Sequence, residues 1–532
     1  MKKILVLLFV MLCLTGCSAQ KESEQVLWVV TEQSNSDGMN YQADTIAQRM
    51  EETYPGLSVN LEVLPTDEAE RELRLKQLRA KIMAGNGPDV YLLPTGSELV
   101  SDTPEKDQDI PIEPLFLDVA QAMQNGIFAD ISQSYDADTE LNTSTLNATI
   151  MAAGCSGNAR LVLPLRYQVP VIYTRPDLCV QYGLPEDLFE SDILTLVEGV
   201  LSCEDAETAA IGLKLPEDVE MLGIPLDYAK GEVLTPIAQI TAYMQLYRQR
   251  NEIAAQSTQA FYDKWELARR YLHFPPNTSE YSEYNWLYRG ISDFAWPKTG
   301  EFYHGCFNLL SEYCYQLYHW SVCDIPLYTG YLSDILETLG VTKQTGQEVA
   351  IYPLRGADGC VTATVAYWGA VGTSCKNPEL AYSFLREFLT EEFQWDSYRP
   401  RVEKDDIGMW EREPEPQFRG MVEDSFPVRT EGCIEPLWDN VQYQLKWYYM
   451  TWQKETRRRA QNVQNTVVKQ EDVPELNWQI DHVRFPISVN SDESLSYALS
   501  QLNNEDGTPT DADIDALAQS VYQCLWWHLA EG

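Results

Sequence analysis

Residues 26–93 constrain the fold of this chain more than any other stretch. Val26-Leu27-Trp28-Val29-Val30 is a short apolar run of the kind a sheet buries on both faces. It gives way to the polar loop Thr31 to Gly38. Ala43, Ile46, Ala47, Met50 and Tyr54 then recur at helical spacing, and Pro55-Gly56 stops them. Leu57, Val59, Leu61 and Val63 alternate with polar residues, which predicts a strand with two unlike faces. A second helix runs from about Asp67 with Leu75, Leu78 and Ile82 on one side. Gly85 and Gly87-Pro88 end it, and Asp89-Val90-Tyr91-Leu92-Leu93 is the next strand. Strand, helix, strand, helix, strand in so short a span predicts a βαβαβ unit and an α/β fold built on mostly parallel sheets with helices on both faces. Ligands of such sheets sit at the carboxyl ends of the strands, so Glu32, Asn35 and Thr95 become candidate ligand contacts.

The N-terminus bears on compartment. Lys2 and Lys3 precede the apolar run Ile4 to Leu14, too short to span about 30 Å of hydrocarbon as a helix, so it reads as a signal-peptide core. Leu14-Thr15-Gly16-Cys17 resembles the bacterial lipobox. That resemblance implies a signal peptide over 1–16, lipidation of Cys17 and a polar tether over 17–25, and hence an extracytoplasmic, lipid-anchored protein. The chain carries 39 Lys+Arg against 80 Asp+Glu, a net charge of −41. Such a surface repels phosphate backbones and anionic lipid, which excludes nucleic acid as a natural partner and leaves the lipid as the route to the membrane.

Three further segments carry a resemblance to a family. Tyr54-Pro55-Gly56-Leu57-Ser58-Val59 followed by Ala84-Gly85-Asn86-Gly87-Pro88-Asp89-Val90 is the first. Leu163-Pro164 running into Val171-Ile172-Tyr173-Thr174-Arg175-Pro176-Asp177-Leu178 is the second, with Thr-Arg where the family has Asn-Lys. The third is Tyr352-Pro353-Leu354, Val365 to Gly369, and Lys376-Asn377-Pro378-Glu379-Leu380-Ala381 with Phe384-Leu385. In this order they resemble the extracellular solute-binding proteins of bacterial ABC importers, the sugar-binding, maltose-binding-protein-like branch, over the mature N-terminus to residue 395. The third segment also stands on its own residues: Asn377 suits a helix N-cap, Pro378 the first helical position, and Leu380, Ala381, Phe384, Leu385 and Phe388 one apolar face.

The resemblance implies a two-lobed, periplasmic-binding-protein-like fold with a hinge between lobes and closure around a ligand. Lobe 1 is expected over 26–165 and again over 366–440, lobe 2 over 166–365, with a C-terminal helical region at 441–532 closing on lobe 2. Crossings are placed near Leu163–Val169 and Val365–Gly369, which makes Arg166, Tyr167, Tyr367 and Trp368 candidate ligand contacts. Packing between the lobes is the other reading of Trp368. Sugar rings lie well on indole and phenol faces, so Trp296 and Trp320 are added, and Arg429 follows from a family segment with a Pro near an Arg. The implied partners are a small solute, an oligosaccharide foremost, and ABC permease subunits; a monomer is expected. The same fold serving a peptide or polyamine, or a sensor kinase, stays open, as does a lipid-anchored glycoside hydrolase.

No GxSxG elbow, HExxH or phosphate loop occurs, and no cofactor is expected. Of twelve cysteines, Cys13 and Cys17 belong to the leader and anchor, and the other ten can be paired or buried as thiols. His304, Cys306, Cys314, His319 and Cys323 match no standard zinc spacing and read as packed helical core. Asp511-Ala512-Asp513-Ile514-Asp515 has Ala516 where a calcium loop needs Gly, so these acids read as helix caps. The run Arg457-Arg458-Arg459 reads as a solvated helix face. No metal site is expected.

Overall fold

The computed structural model describes residues 25–32, 38–95, 100–101, 110–111, 113–213, 215–216, 218–219, 221–224, 236–271, 325–335, 348–394, 425–430, 478–487, 489, 494–502 and 507–531. Strand β1 (Gln25–Glu32), helix α1 (Gly38–Thr53), β2 (Leu57–Leu64), α2 (Glu68–Met83) and β3 (Val90–Pro94) follow in the order the hydrophobic periodicity predicts. β1 pairs in parallel with both β2 and β3. Leu27 and Val29 pack under Ala43, Ile46 and Met50 of α1, while Val30 packs with Leu75 and Leu78 of α2 on the other face. Two unlike helices therefore cover the two faces of one strand, and this explains its unbroken apolar run. Asp67 caps α2 by accepting from the Ala69 and Glu70 amides.

The chain next contributes β4 (Leu163–Gln168) to the same sheet and, after Val169 alone, β5 (Pro170–Thr174) to a second one. Helix α3 (Ile193–Leu201) and the long α4 (Pro236–Tyr271) lead to β6 (Leu327–Tyr331) and β7 (Ala350–Pro353), which flank β5 antiparallel. The chain returns through residues 354–361 to β8 (Thr362–Val371), whose ten residues are all buried. Helices α5 (Pro378–Glu387) and α6 (Glu391–Gln394) and strands β9 (Phe426–Pro427) and β10 (His482–Arg484) complete the first body. Its sheet runs β9-β4-β8-β3-β1-β2, with β10 alongside β8. β8 is antiparallel to β3 and β4 and parallel to β10. Helices α7 (Leu495–Gln501) and α8 (Asp511–Glu531) lie in the second body, where Ile514, Ala518, Val521 and Leu525 share a core with Ile240, Tyr243 and Met244 of α4.

The chain is thus mixed α/β, and its two larger sheets among the described residues have seven and three strands. The chain passes between the two bodies at Val169, at 354–361 and between Phe485, packed in the first, and Val489, packed against the second. The anticipated lobe limits at 165/166 and 365/366 fall inside β4 and β8, which lie wholly in the large sheet. The second passage precedes the expected segment Val365–Gly369, because β8 must run full length to reach both of its antiparallel neighbours. Thr510 and Asp513 cap α8 reciprocally: the Thr510 amide and hydroxyl donate to Asp513 Oδ2, and the Asp513 amide donates to Thr510 Oγ1. Half-buried Trp28 lies beside Glu62, whose carboxylate accepts from the indole Nε1 at 2.9 Å, so an aromatic residue occupies β1 with its polar atom satisfied. Among the described residues no helix is long and apolar enough to cross a membrane.

Trp368 of β8 has no exposed surface. Its ring lies 5.9 Å from Phe116 and 5.5 Å from Phe128, and Tyr91 meets both phenylalanines edge-on at 5.3 and 5.5 Å. The neighbouring Gly369 admits α5: a Cβ there would come within 2.5 Å of Leu385 Cδ2. Truncating Trp368 to alanine removes the centre of this cluster. The expected loss of unfolding free energy is about 3–5 kcal/mol, measured by urea denaturation; a loss below about 1 kcal/mol would contradict the packing.

Candidate functional site

The carboxyl ends of β1 and β3 hold two buried polar side chains with unused hydrogen-bonding capacity. Glu32 closes β1 and is 3% exposed; Thr95 follows β3 and is 5% exposed. Glu32 Oε1 accepts from Arg71 Nη2 at 2.8 Å, and both side chains are almost wholly buried. Glu32 Oε2 and Thr95 Oγ1 have no hydrogen-bond partner among the described residues. An unsatisfied buried polar atom costs roughly 1–3 kcal/mol, so two of them at adjacent strand ends call for a purpose. The Thr95 amide donates to Ala366 O at 2.8 Å and fixes the turn out of β3.

The rest of this pole is tightly satisfied. Arg71 donates from Nε to Glu113 O at 2.6 Å and from Nη1 to Pro65 O at 3.0 Å, so its guanidinium is held at every branch. Thr31 Oγ1 donates to Asn40 Oδ1 at 2.8 Å, and Asn40 Nδ2 donates to Glu32 O at 3.1 Å, pinning the end of β1 to the first turns of α1. Burial pushes the Glu32 carboxyl above its ordinary 4.5, against the opposing pull of Arg71 and the Leu115 amide. Desolvation of so deeply buried a carboxyl outweighs both.

The other anticipated contacts lie in the sheet. Arg166 in β4 is 1% exposed, and its Nη2 donates to the carbonyls of Phe393 and Gln394 at 3.1 and 3.3 Å, the end of α6. Gln394 knots this region: its Nε2 donates to Leu165 O and Phe388 O at 3.0 and 2.7 Å, and its Oε1 accepts the Arg429 amide at 3.2 Å. Arg429 Nη1 donates to Leu389 O at 3.2 Å, and Gln42 Nε2 to Phe393 O at 3.3 Å. Tyr167 is buried against Phe426 at 5.8 Å, and burial pushes its phenol upward. Tyr367 lies opposite Pro94 and Arg166, close to Thr95 along the chain path. The structure therefore brings Glu32 and Thr95 to one pole, sets Tyr367 in register between Pro94 and Arg166, and holds Arg166 and Arg429 in the network around α6. Trp368 has no exposed face. Asn35, Trp296, Trp320 and Cys17 lie outside the described residues, as do His304, Cys306, Cys314, His319, Cys323 and Arg457 to Arg459.

Sequence reasoning passed over Arg71, Asn40 and Gln394. Arg71 left a signal, since it sits in register with Leu75, Leu78 and Ile82 on the apolar side of α2, where a charge needs a buried partner. Gln394 left none, because its partners lie in segments far along the chain.

No family model and no curated protein sequence matches this chain. Similar solved structures include an extracellular solute-binding protein, family 1, from Alicyclobacillus acidocaldarius, 11% identical, with a TM-score of 0.44 and 95% of this chain and 100% of that one covered. An ABC substrate-binding protein from Listeria monocytogenes in complex with cycloalternan is 12% identical, with a TM-score of 0.42 and 94% and 99% covered. A de novo designed cysteine esterase is 13% identical, with a TM-score of 0.44 and 96% and 100% covered.

The raised Glu32 fixes the sign of a pH effect. Because its folded value lies above its unfolded one, its contribution to stability is fully present below about pH 4.5 and is lost as pH rises through the folded value. Wild-type protein should therefore lose stability relative to Glu32→Gln as pH is raised from about 4 to 8 in urea denaturation. A wild type that gains on the variant over this range would mean that the Arg71 pairing outweighs burial.

Proposed function

We propose that this chain is a lipid-anchored, extracytoplasmic solute-binding protein that captures a carbohydrate between its two bodies and hands it to an ABC permease. The observation that carries the reading is where the family-like segments fall. They build the βαβαβ unit, the passage at Val169 and the strands on either side of the passage at 354–361. Those are the parts a closing, two-bodied binder needs. An oligosaccharide is the favoured cargo, because its many hydroxyls can satisfy Glu32 Oε2 and Thr95 Oγ1.

In this mechanism no bond of the solute is broken. Glu32 accepts a hydroxyl proton in a hydrogen bond, Thr95 donates or accepts one, and Arg71 keeps the Glu32 carboxylate oriented. Arg166 and Arg429, held on main-chain carbonyls, stiffen the β4–β8 pair from which the hinge departs. Cys17 carries the lipid, the segment 17–25 tethers the body, and a monomer meets the permease. Trp296, Trp320 and Asn35 supply further contacts.

Melting curves of residues 18–532 against mono- and oligosaccharides, with peptides and polyamines as controls, test this. A sugar at 100 times its dissociation constant should add about 2.7 kcal/mol of apparent stability and be recovered intact. Thr95→Val should weaken that sugar by about 3- to 10-fold, the worth of one hydrogen bond. Release of reducing ends would replace binding by hydrolysis, and a shift confined to peptides or polyamines would change the cargo.

A further inference from the structure

A second cluster lies where the passage at 354–361 meets the one that follows β10. Asp358 and Cys360 belong to the turn inside residues 354–361, and His482 opens β10 just before the chain leaves for α7. One carboxylate oxygen, the thiol sulfur and one imidazole nitrogen of these residues all lie within 4.8 Å of one another. The turn and β10 lie more than a hundred residues apart in the chain, so the fold has to bring His482 to the other two.

The local structure aims the donors. Gly359, at φ 77°, allows the tight turn that places Asp358 and Cys360 on the same side. The Gly356 amide donates to Cys360 O at 2.9 Å, and the Cys360 amide donates to Asp358 Oδ1 at 2.9 Å. That occupies one oxygen of Asp358 and leaves Oδ2 toward His482 Nε2 at 3.8 Å. Gly223 backs the turn so closely that a Cβ there would meet Asp358 Oδ1 at 2.4 Å. On the other segment the Asp481 and His482 amides donate to Val361 O at 2.9 and 3.1 Å, and Asp481 Oδ2 accepts the Val361 amide at 2.9 Å. His482 is thereby fixed in register opposite Thr362.

A separation of 3.8 Å is too long for a hydrogen bond. It is close to the edge of a tetrahedron around zinc, roughly 3.5 Å for bonds of about 2.0–2.3 Å. Asp358, Asp481 and a Cys360 thiolate would concentrate negative charge here, while Arg355 in the same turn spends Nη1 on Gly359 O at 3.1 Å. A cation is the missing complement. From the donor set of one sulfur, one imidazole nitrogen and one carboxylate oxygen, we infer that Asp358, Cys360 and His482 bind a borderline divalent ion of the Zn2+ type, with a fourth position open to solvent. The ion ties the 354–361 passage to the one that follows β10, whatever the cargo of the protein.

Titrating the mature chain with Co2+ should give a thiolate-to-cobalt charge-transfer band that saturates at one equivalent and is displaced by Zn2+. Cys360→Ser should abolish the band, while Cys155→Ser and Cys375→Ser, altering thiols elsewhere in the fold, should keep it. Loss of an outer-shell partner alone costs about 10- to 100-fold in metal affinity, so His482→Gln should weaken Zn2+ by at least about 10-fold. Melting in EDTA should match wild type for each variant and so separate ligand loss from misfolding. A missing band in the wild type, or a band that survives in Cys360→Ser, would overturn the site.

Discussion

Strand β8 is the constraint on which the rest of the chain depends. All ten of its residues are buried, and among the described strands it joins the N-terminal βαβαβ unit to β4, from which the chain departs for the second body. Without it, β3 and β4 would each present a hydrophobic edge to water. It also comes from residue 362 onward, after the chain has travelled out and back, so the first body closes only when distant parts of the sequence meet. Gly369 and Trp368 serve the same junction from opposite faces, one by making room for α5 and the other by filling the space beneath Phe116 and Phe128.

Around this apolar spine the polar groups divide into two kinds. The Arg166–Gln394–Arg429 network is spent on main-chain carbonyls and amides and serves to hold α6 and β9 against the sheet. The Glu32–Arg71 pair is buried at comparable cost yet leaves Glu32 Oε2 and Thr95 Oγ1 unspent. A buried ion pair is weak as a source of stability, since desolvation offsets the attraction. In the proposed binder its value is orientation at the end of a parallel strand, where an α/β sheet presents its ligands.

Local signals carried well from β1 to β3 because each element there announces itself within its own length. Alternation marked β2, the 3.6-residue period marked α1 and α2, and Asn377-Pro378 marked the start of α5, where the Asn377 side chain accepts from the Leu380 amide as a cap should. The long-range features were illegible for an equally physical reason. An apolar run does not reveal that β8 enters antiparallel, nor that Trp368 points into the core instead of a cleft. The carbonyl partners of Arg166 at Phe393 and Gln394 left no trace in the sequence because they lie more than two hundred residues away. Asp358, Cys360 and His482 match no sequence spacing, since only the pairing of β10 with β8 brings the histidine to the turn.

Two bodies that the described chain links at Val169, at 354–361 and between Phe485 and Val489, with unspent polar groups at one strand pole, make sense together if the bodies move relative to each other around a solute. Small-angle X-ray scattering of the mature chain across a panel of neutral oligosaccharides tests this most directly. The account predicts that at least one sugar shrinks the radius of gyration at saturation and is recovered uncleaved. An unchanged radius with every sugar, or a sugar recovered in fragments, would contradict it.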